Sequence, residues 1–235
     1  MKTTQALRRW MDDAIGLFFP VWCRACGRQM PPMHQVLCVG CRLRLPRTGF
    51  SQMDDNPVLG RFWGRVDLRY ATALLYFIKD GQAQRLLHQL KYEGRPEIGR
   101  YLGRELGEEL LASPYLPPVD VLVPAPLHPA RERQRGYNQA AVIAEGIGQA
   151  LCLPVDARSL TRRQATVSQT RKSRLERFAN VGEAFVVERR EALEGKHILL
   201  VDDVVTTGAT LEACAHALRA LPGTSVSVAA LALAL

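Results

Sequence analysis

The sequence predicts an α/β protein: a mostly parallel, twisted sheet flanked by helices, with a small cysteine-rich module in front of it. Three observations carry this. Short apolar runs, among them Val119–Val123 and Ile198–Val201, alternate with amphipathic helical patterns, as parallel strands covered on both faces require. Between Pro20 and Pro46 the chain is rich in Cys, Pro and Arg and lacks apolar periodicity, so something other than an apolar core must hold it together. A length of 235 residues with 47% hydrophobic content suits one domain of moderate size plus an accessory module.

Taken in order, residues 3–19 place Leu7, Trp10, Met11, Ala14, Ile15 and Phe18 at helical spacing, an apolar stripe that needs a partner. The cysteine-rich stretch follows, and the expected division is 1–48 for helix and module and 49–235 for the sheet domain. Ala73–Phe77 reads as a strand, and Gln82–Tyr92 and Pro96–Ala112 as helices. Val119–Val123 is a strand before a Pro-rich turn, and Asn138–Leu151 a helix. Glu183–Glu188 and Ile198–Val201 are strands, Ala209–Leu221 is a helix, and Ser225–Ala234 the last strand. Cys152 and Cys214, set among Ala and Leu, are expected to be small buried residues.

The composition excludes disordered, collagen-like and disulfide-knot classes. The longest uncharged run, Ala220–Leu235, is 16 residues, broken by Pro222 and Gly223, and is short for a membrane-spanning helix, so no membrane insertion is expected. Asp12 and Asp13 interrupt what would otherwise be a signal core, and a cytoplasmic location is the expectation. Net charge is +8, and residues 1–48, with eight basic and two acidic side chains, hold +6 of it. A basic module of this kind suits an acidic partner such as nucleic acid; the alternative is an ordinary solvated face.

Cys23, Cys26, Cys38 and Cys41 form two CxxC pairs separated by eleven residues. Each pair presents two thiolates to one point, and two pairs close a tetrahedral zinc site with no open position for water, which makes the metal structural. In a reducing compartment disulfides are the weaker explanation, and redox chemistry lacks its βαβ context. His34 lies in the intervening loop, but four Cys already satisfy the metal.

Ile198–Thr210 reads ILLVDDVVTTGAT. A buried strand ends in Asp202 and Asp203, and a turn of Thr206, Thr207, Gly208, Ala209 and Thr210 leads into a helix. Ligands of open α/β sheets bind at that edge. The turn offers N–H groups, hydroxyls and a helix N-terminus to a phosphate, and the carboxylates suit the hydroxyls of a ribose with help from Mg²⁺. A Walker A sequence is absent, and Gly146 and Gly148 lack the third glycine of a dinucleotide fingerprint.

All thirteen positions resemble the phosphoribosyl pyrophosphate motif of the type I phosphoribosyltransferases. Val123–Ala140 (VPAPLHPARERQRGYNQA) and the TxxQT, SR, ExxxNV and AF elements within Thr166–Phe185 extend the likeness. With the LFFPVWCRAC lead-in to the four-Cys module, the chain is identified as resembling the ComF/GntX family, phosphoribosyltransferase-like proteins associated with competence and DNA use. Glu183 stands where a Gly is usual, and Lys172 where an apolar residue is common.

The resemblance implies a type I phosphoribosyltransferase-like fold and phosphoribosyl pyrophosphate with Mg²⁺ as ligand. Asp202 and Asp203 would be catalytic, the Thr206–Thr210 turn would take the 5-phosphate, and Arg131 and Arg171 would bring cations to the pyrophosphate. Arg131, Arg133 and Arg135 cannot all share one helical face. A hood over residues 73–112 would choose the acceptor, with Lys79, Lys91, Tyr92 and Arg95 as candidate contacts and plain surface exposure as their ordinary explanation. The alternative function is a non-catalytic accessory that binds single-stranded DNA or DNA-processing proteins and uses the phosphoribosyl pocket as a sensor. Acceptor and oligomeric state are not encoded in any motif.

Overall fold

The computed structural model describes residues 20–31, 36–162 and 185–234. The expected helix over 3–19, with Trp10 in it, and His34 and Arg171 lie outside the described residues.

Four strands, β3 (Ala71–Phe77), β4 (Val121–Pro124), β7 (His197–Val205) and β8 (Ser225–Ala234), make one all-parallel sheet in the order β3-β8-β7-β4. Side chains alternate between its faces, so each strand feeds two cores. On one face Leu122, Leu199, Val201, Ala229 and Leu231 pack against α3 (Gln82–Tyr92), α4 (Pro96–Leu111) and α6 (Gln139–Leu151). On the other, Val121, Val123, Ile198, Leu200, Val228 and Ala230 meet α7 (Ala209–Arg219) and Phe62, which follows the short helix α2 (Pro57–Gly60). Both faces are covered, which is why these strands read as continuous apolar runs.

Helices α4 and α6 approach closely because glycines line their seam. A Cβ on Gly103 would lie 2.3 Å from the Ile143 carbonyl oxygen, and one on Gly146 2.2 Å from that of Arg100. Gly146, read above only as a failed dinucleotide fingerprint, is therefore a packing residue.

The cysteine module consists of a two-residue hairpin, β1 (Val21–Trp22) with β2 (Gln29–Met30), and the short helix α1 (Val39–Leu43). It is docked rather than separate: Cys23, Met30, Leu37, Cys41 and Leu45 belong to the same apolar cluster as Leu86 and Leu90. Its arginines are docked as well. Arg24 pairs with Glu97 at 3.2 Å, Arg42 with Glu105 at 2.8 Å, and Arg47 with both Glu105 and Glu109. Three of the five arginines between 24 and 47 thus face acids of α4.

Two elements depart from expectation. The strand expected to stop at Val201 runs to Val205, because Asp202, Val204 and Val205 keep pairing with Ala230, Ala232 and Leu233 of β8. The basic stretch after Pro129 is a helix, α5 (Pro129–Arg135), ended by Gly136 at φ +82°. Residues 185–187 form β6 (Phe185–Val187), paired antiparallel with β5 (Leu160–Arg162). Cys214 is buried as expected, whereas Cys152 is exposed, capping α6 at φ +55°. Among the described residues no helix is long and apolar enough to cross a membrane.

Candidate active site

β4 pairs with β7 only from Ile198 to Val201, and the last bond on that side runs from the Ala125 N–H to the Val201 carbonyl at 2.8 Å. Beyond it β7 continues without β4, and the mismatch opens a crevice at the carboxyl edge of the sheet. Asp202 and Asp203 lie on that overhang. The crevice, about 190 Å³, is lined by Lys91, Leu127, Arg131, Arg135, Arg162, Asp202, Asp203 and Thr210, among others.

The two carboxylates are held differently. The Asp203 N–H donates to Asp202 Oδ1 at 2.8 Å, while Asp203 Oδ1 accepts from Lys91 Nζ at 2.9 Å. Burial and then the neighbouring Asp203 charge push the Asp202 carboxyl well above the ordinary carboxylate range. Two carboxylates face one ammonium here, so the pair fits a hard divalent cation such as Mg²⁺.

The turn after β7 is braced from outside. Gly208 sits at φ +78°, and a Cβ there would be 2.9 Å from the Phe62 ring. Arg65 donates to the Thr207 carbonyl at 2.8 Å and pairs with Glu212 in the first turn of α7. Thr206, Thr207, Ala209 and Thr210 remain exposed, their polar groups facing solvent at the helix N-terminus.

The opposite wall comes from the Pro-rich turn. His128 caps α5 by accepting from the Ala130 N–H at 3.2 Å, a structural role. Arg131 and Arg135, one turn apart, both line the crevice and Arg133 does not. Asn138 fixes this wall, donating to the Ala125 carbonyl and accepting from the Ala140 N–H, each at 3.0 Å. Arg135 lies 5.3 Å from the centroid of the exposed Tyr92 ring and donates to Gln139 at 2.7 Å.

The structure therefore gathers Asp202, Asp203, Arg131 and Thr210 in one crevice, with Thr206–Ala209 on the adjoining turn. Lys91, whose ordinary explanation was surface exposure, is an ion-pair partner inside the site. Arg135, one of the three arginines after Pro129, lines it too, as does Arg162. Lys91 stands near the C-terminus of its helix, a place that sequence alone does not connect to a residue 112 positions later.

In the module, the sulfurs of Cys23, Cys26, Cys38 and Cys41 lie within 4.8 Å of one another and can hold a metal ion. Cys26 and Cys38 Sγ are 3.9 Å apart, far beyond a disulfide and near the ~3.8 Å edge of a tetrahedron with 2.3 Å metal–sulfur bonds. The Cys38 N–H points at Cys23 Sγ from 3.4 Å. Burial would raise the Cys23 thiol, but the N–H groups of Cys38, Cys26 and Ala25 outweigh it and hold the thiol down at about 6; burial and neighbouring thiols push Cys41 up to about 12.

Residues 138–234 match the phosphoribosyl transferase domain family. That match, the parallel sheet and the acidic pair followed by a Thr/Gly turn define a type I phosphoribosyltransferase-like fold. Three relatives narrow it. The DNA utilization protein YhgH of Salmonella typhi is 38% identical over 136 residues, 57% of this chain and 59% of that one. The competence protein ComFC of Bacillus subtilis is 38% identical over 98 residues, 42% of this chain and 38% of that one. The competence protein F of Haemophilus influenzae is 29% identical over 151 residues, 63% and 66% of the two chains. In these stretches the chain is similar to ComF-type competence and DNA utilization proteins. It spans about three fifths of the length of the YhgH relatives, 59% in each of the first three.

Proposed function

We propose that the chain binds phosphoribosyl pyrophosphate with Mg²⁺ in the β7 crevice, acts as a phosphoribosyltransferase, and serves DNA uptake or use. The observation that carries this reading is the shared edge: acidic pair, Thr/Gly turn and Arg131 converge on one crevice. Asp202 and Asp203 would hold the ribose hydroxyls and favour positive charge on the sugar as its bond to pyrophosphate loosens. The turn from Thr206 to Thr210 would fix the 5-phosphate, and Arg131 with Arg135 would meet the pyrophosphate. Mg²⁺, when bound, supplies charge neutralisation at the leaving group. Arg171 keeps its assignment as a cation for the pyrophosphate.

Titration calorimetry with phosphoribosyl pyrophosphate and Mg²⁺ tests the site. Asp203→Asn should weaken binding at least tenfold, the scale of a charge-assisted hydrogen bond worth about 1.5–3 kcal/mol. Equal affinity would place the ligand elsewhere. Pyrophosphate release across a panel of nucleobase and amine acceptors tests catalysis.

The names of the relatives speak of DNA utilization and competence, and they support the DNA link as a proposal. The second reading, a nucleic-acid-binding accessory docking through a basic zinc module, draws on the exposed Trp22 and on Arg28 and Arg44, which take part in no ion pair among the described residues, Arg44 lying 3.9 Å from Cys41 Sγ. The four Cys are assigned to structural zinc, with residues 1–48 and 49–235 as the two units, in a cytoplasmic protein.

A further inference from the structure

Lys91 is the last basic residue of α3, on the helical layer over one sheet face, yet its ammonium reaches the overhang of β7 and lies 2.9 Å from Asp203 Oδ1. Neither group is at the surface: the side chains are 22% and 15% exposed. The pairing places an amino cation on the carboxylate assigned above to the sugar and its metal. In the same crevice stand Arg131, Arg135 and Arg162, none of which pairs with Asp203 among the described residues. One cation out of four has thus been selected for the acidic pair, and it is the one carried by a different layer of the fold.

From this geometry we infer that Lys91 is a built-in counter-ion of Asp203, a positioning residue that a divalent cation must displace before the acidic pair can take the sugar. The inference rests on the phosphoribosyl pyrophosphate reading only for the identity of the sugar ligand. Without Lys91, Asp202 and Asp203 would confront each other across a single N–H···O bond in a half-buried crevice, where like charges are costly. With Lys91, the apo site is charge-compensated and its carboxylates are held in place. A lysine suits this task better than an arginine: a compact ammonium on a flexible stem withdraws without leaving a bidentate fork unsatisfied. Once displaced, the ammonium remains in a crevice already lined by Arg131 and Arg135 and adds a third cation on the side where an anionic leaving group would sit. Tyr137 anchors the end of α3, since its hydroxyl donates to the Leu90 carbonyl, one residue before Lys91, and ties it to the start of α6.

The predicted consequence is competition. Mn²⁺ serves as the probe, because its binding to the zinc-loaded full chain can be followed by electron paramagnetic resonance with no sugar ligand present. Lys91→Met, which keeps length and removes charge, should bind Mn²⁺ about tenfold more tightly than the wild type. Lys91→Arg should stay within about twofold of it, and Lys91→Gln should follow Lys91→Met, so the conclusion does not rest on one variant folding. In an Asp203→Asn background, Lys91→Met should have no effect. Equal Mn²⁺ affinity in wild type, Lys91→Met and Lys91→Gln, or no Mn²⁺ binding in any of them, overturns the inference. Failure of the functional reading looks different: wild type and variants would not bind phosphoribosyl pyrophosphate by calorimetry, while the Mn²⁺ affinities still separated by charge at position 91.

Discussion

Glu105 should be the residue that fastens the cysteine module to the sheet domain. Its side chain is 8% exposed and accepts from Arg42 at 2.8 Å and from Arg47, which are 52% and 32% exposed. Breaking a buried ion pair costs about 3–5 kcal/mol when the remaining charge is stranded away from water. Here the buried member is the one removed, Arg42 is half in water already, and Arg47 keeps Glu109, so Glu105→Ala should cost less, about 2–3 kcal/mol. For a chain of this size that is a fall in melting temperature of roughly 5–10 °C. Glu105→Gln, which keeps an acceptor and loses the charge, should cost about half as much. Urea and thermal unfolding measure both, and Arg42→Met combined with Glu105→Gln measures the coupling in a double-mutant cycle. A second readout is independent of stability: burial and the Glu105 carboxylate push the Tyr101 hydroxyl up to about 12, and Glu105→Gln should bring its titration down. A Glu105→Ala protein melting within 2 °C of wild type, with Tyr101 titrating unchanged, would mean that the module docks without help from Glu105.

Three further outcomes are expected. Elemental analysis of protein purified without added metal should find one zinc per chain, and Cys38→Ser should lose it; a full complement in the variant would remove the four-sulfur assignment. Gly103→Ala should cost at least about 1–3 kcal/mol, since its Cβ meets backbone at 2.3 Å and the helices must part, while Gly60→Ala, with nothing within 4 Å, should be close to neutral; equal melting temperatures would refute the seam. Stability should fall as pH drops below about 6.5. Burial holds His197 below its ordinary pKa, outweighing its bond to the Pro118 carbonyl and the Asp120 charge, so the unfolded chain binds the proton first. The neutral ring donates from Nδ1 to the Pro118 carbonyl at 2.7 Å and accepts at Nε2 from Ser227 at 2.8 Å. Urea midpoints at pH 7.5 and 5.5 should differ less in His197→Gln than in wild type, and the same difference in both would assign the slope to other groups.

The sequence was most legible where burial is uniform. The helix Gln82–Tyr92 and the strand Ser225–Ala234 were read to the residue, because apolar periodicity reports the core directly. It misled where polar residues continue a buried element: Asp202 and Asp203 look like the end of a strand, yet β8 keeps pairing with Asp202, Val204 and Val205. The helix Pro129–Arg135 was hidden because none of its residues is buried, leaving no apolar period to detect. The acidic pair and the Thr/Gly turn were found because they are contiguous, and Lys91 was missed as a partner because the ion pair joins two layers of the fold.

The same limit governs the charge. Residues 1–48 carry +6, and composition alone makes that a surface awaiting an acidic partner. The partner of much of it is internal, since Glu97, Glu105 and Glu109, eight and four residues apart, present one acidic helical face to Arg24, Arg42 and Arg47. Among the described residues, a DNA contact made by the module would draw on Arg28 and Arg44 with the exposed Trp22. Replacing both arginines by Ala in the full chain should reduce the salt slope of single-stranded DNA binding by about 1.4, at roughly 0.7 per phosphate contact, whereas Arg42→Ala should leave the slope unchanged and lower stability instead. Deleting the module would not make the same test, because Cys23, Leu37 and Leu45 are part of the domain core and their removal would expose it. A slope that responds to Arg42 and not to Arg28 and Arg44 would mean that the acids of α4 release their arginines to DNA, and that the module's basic charge is shared between fold and partner.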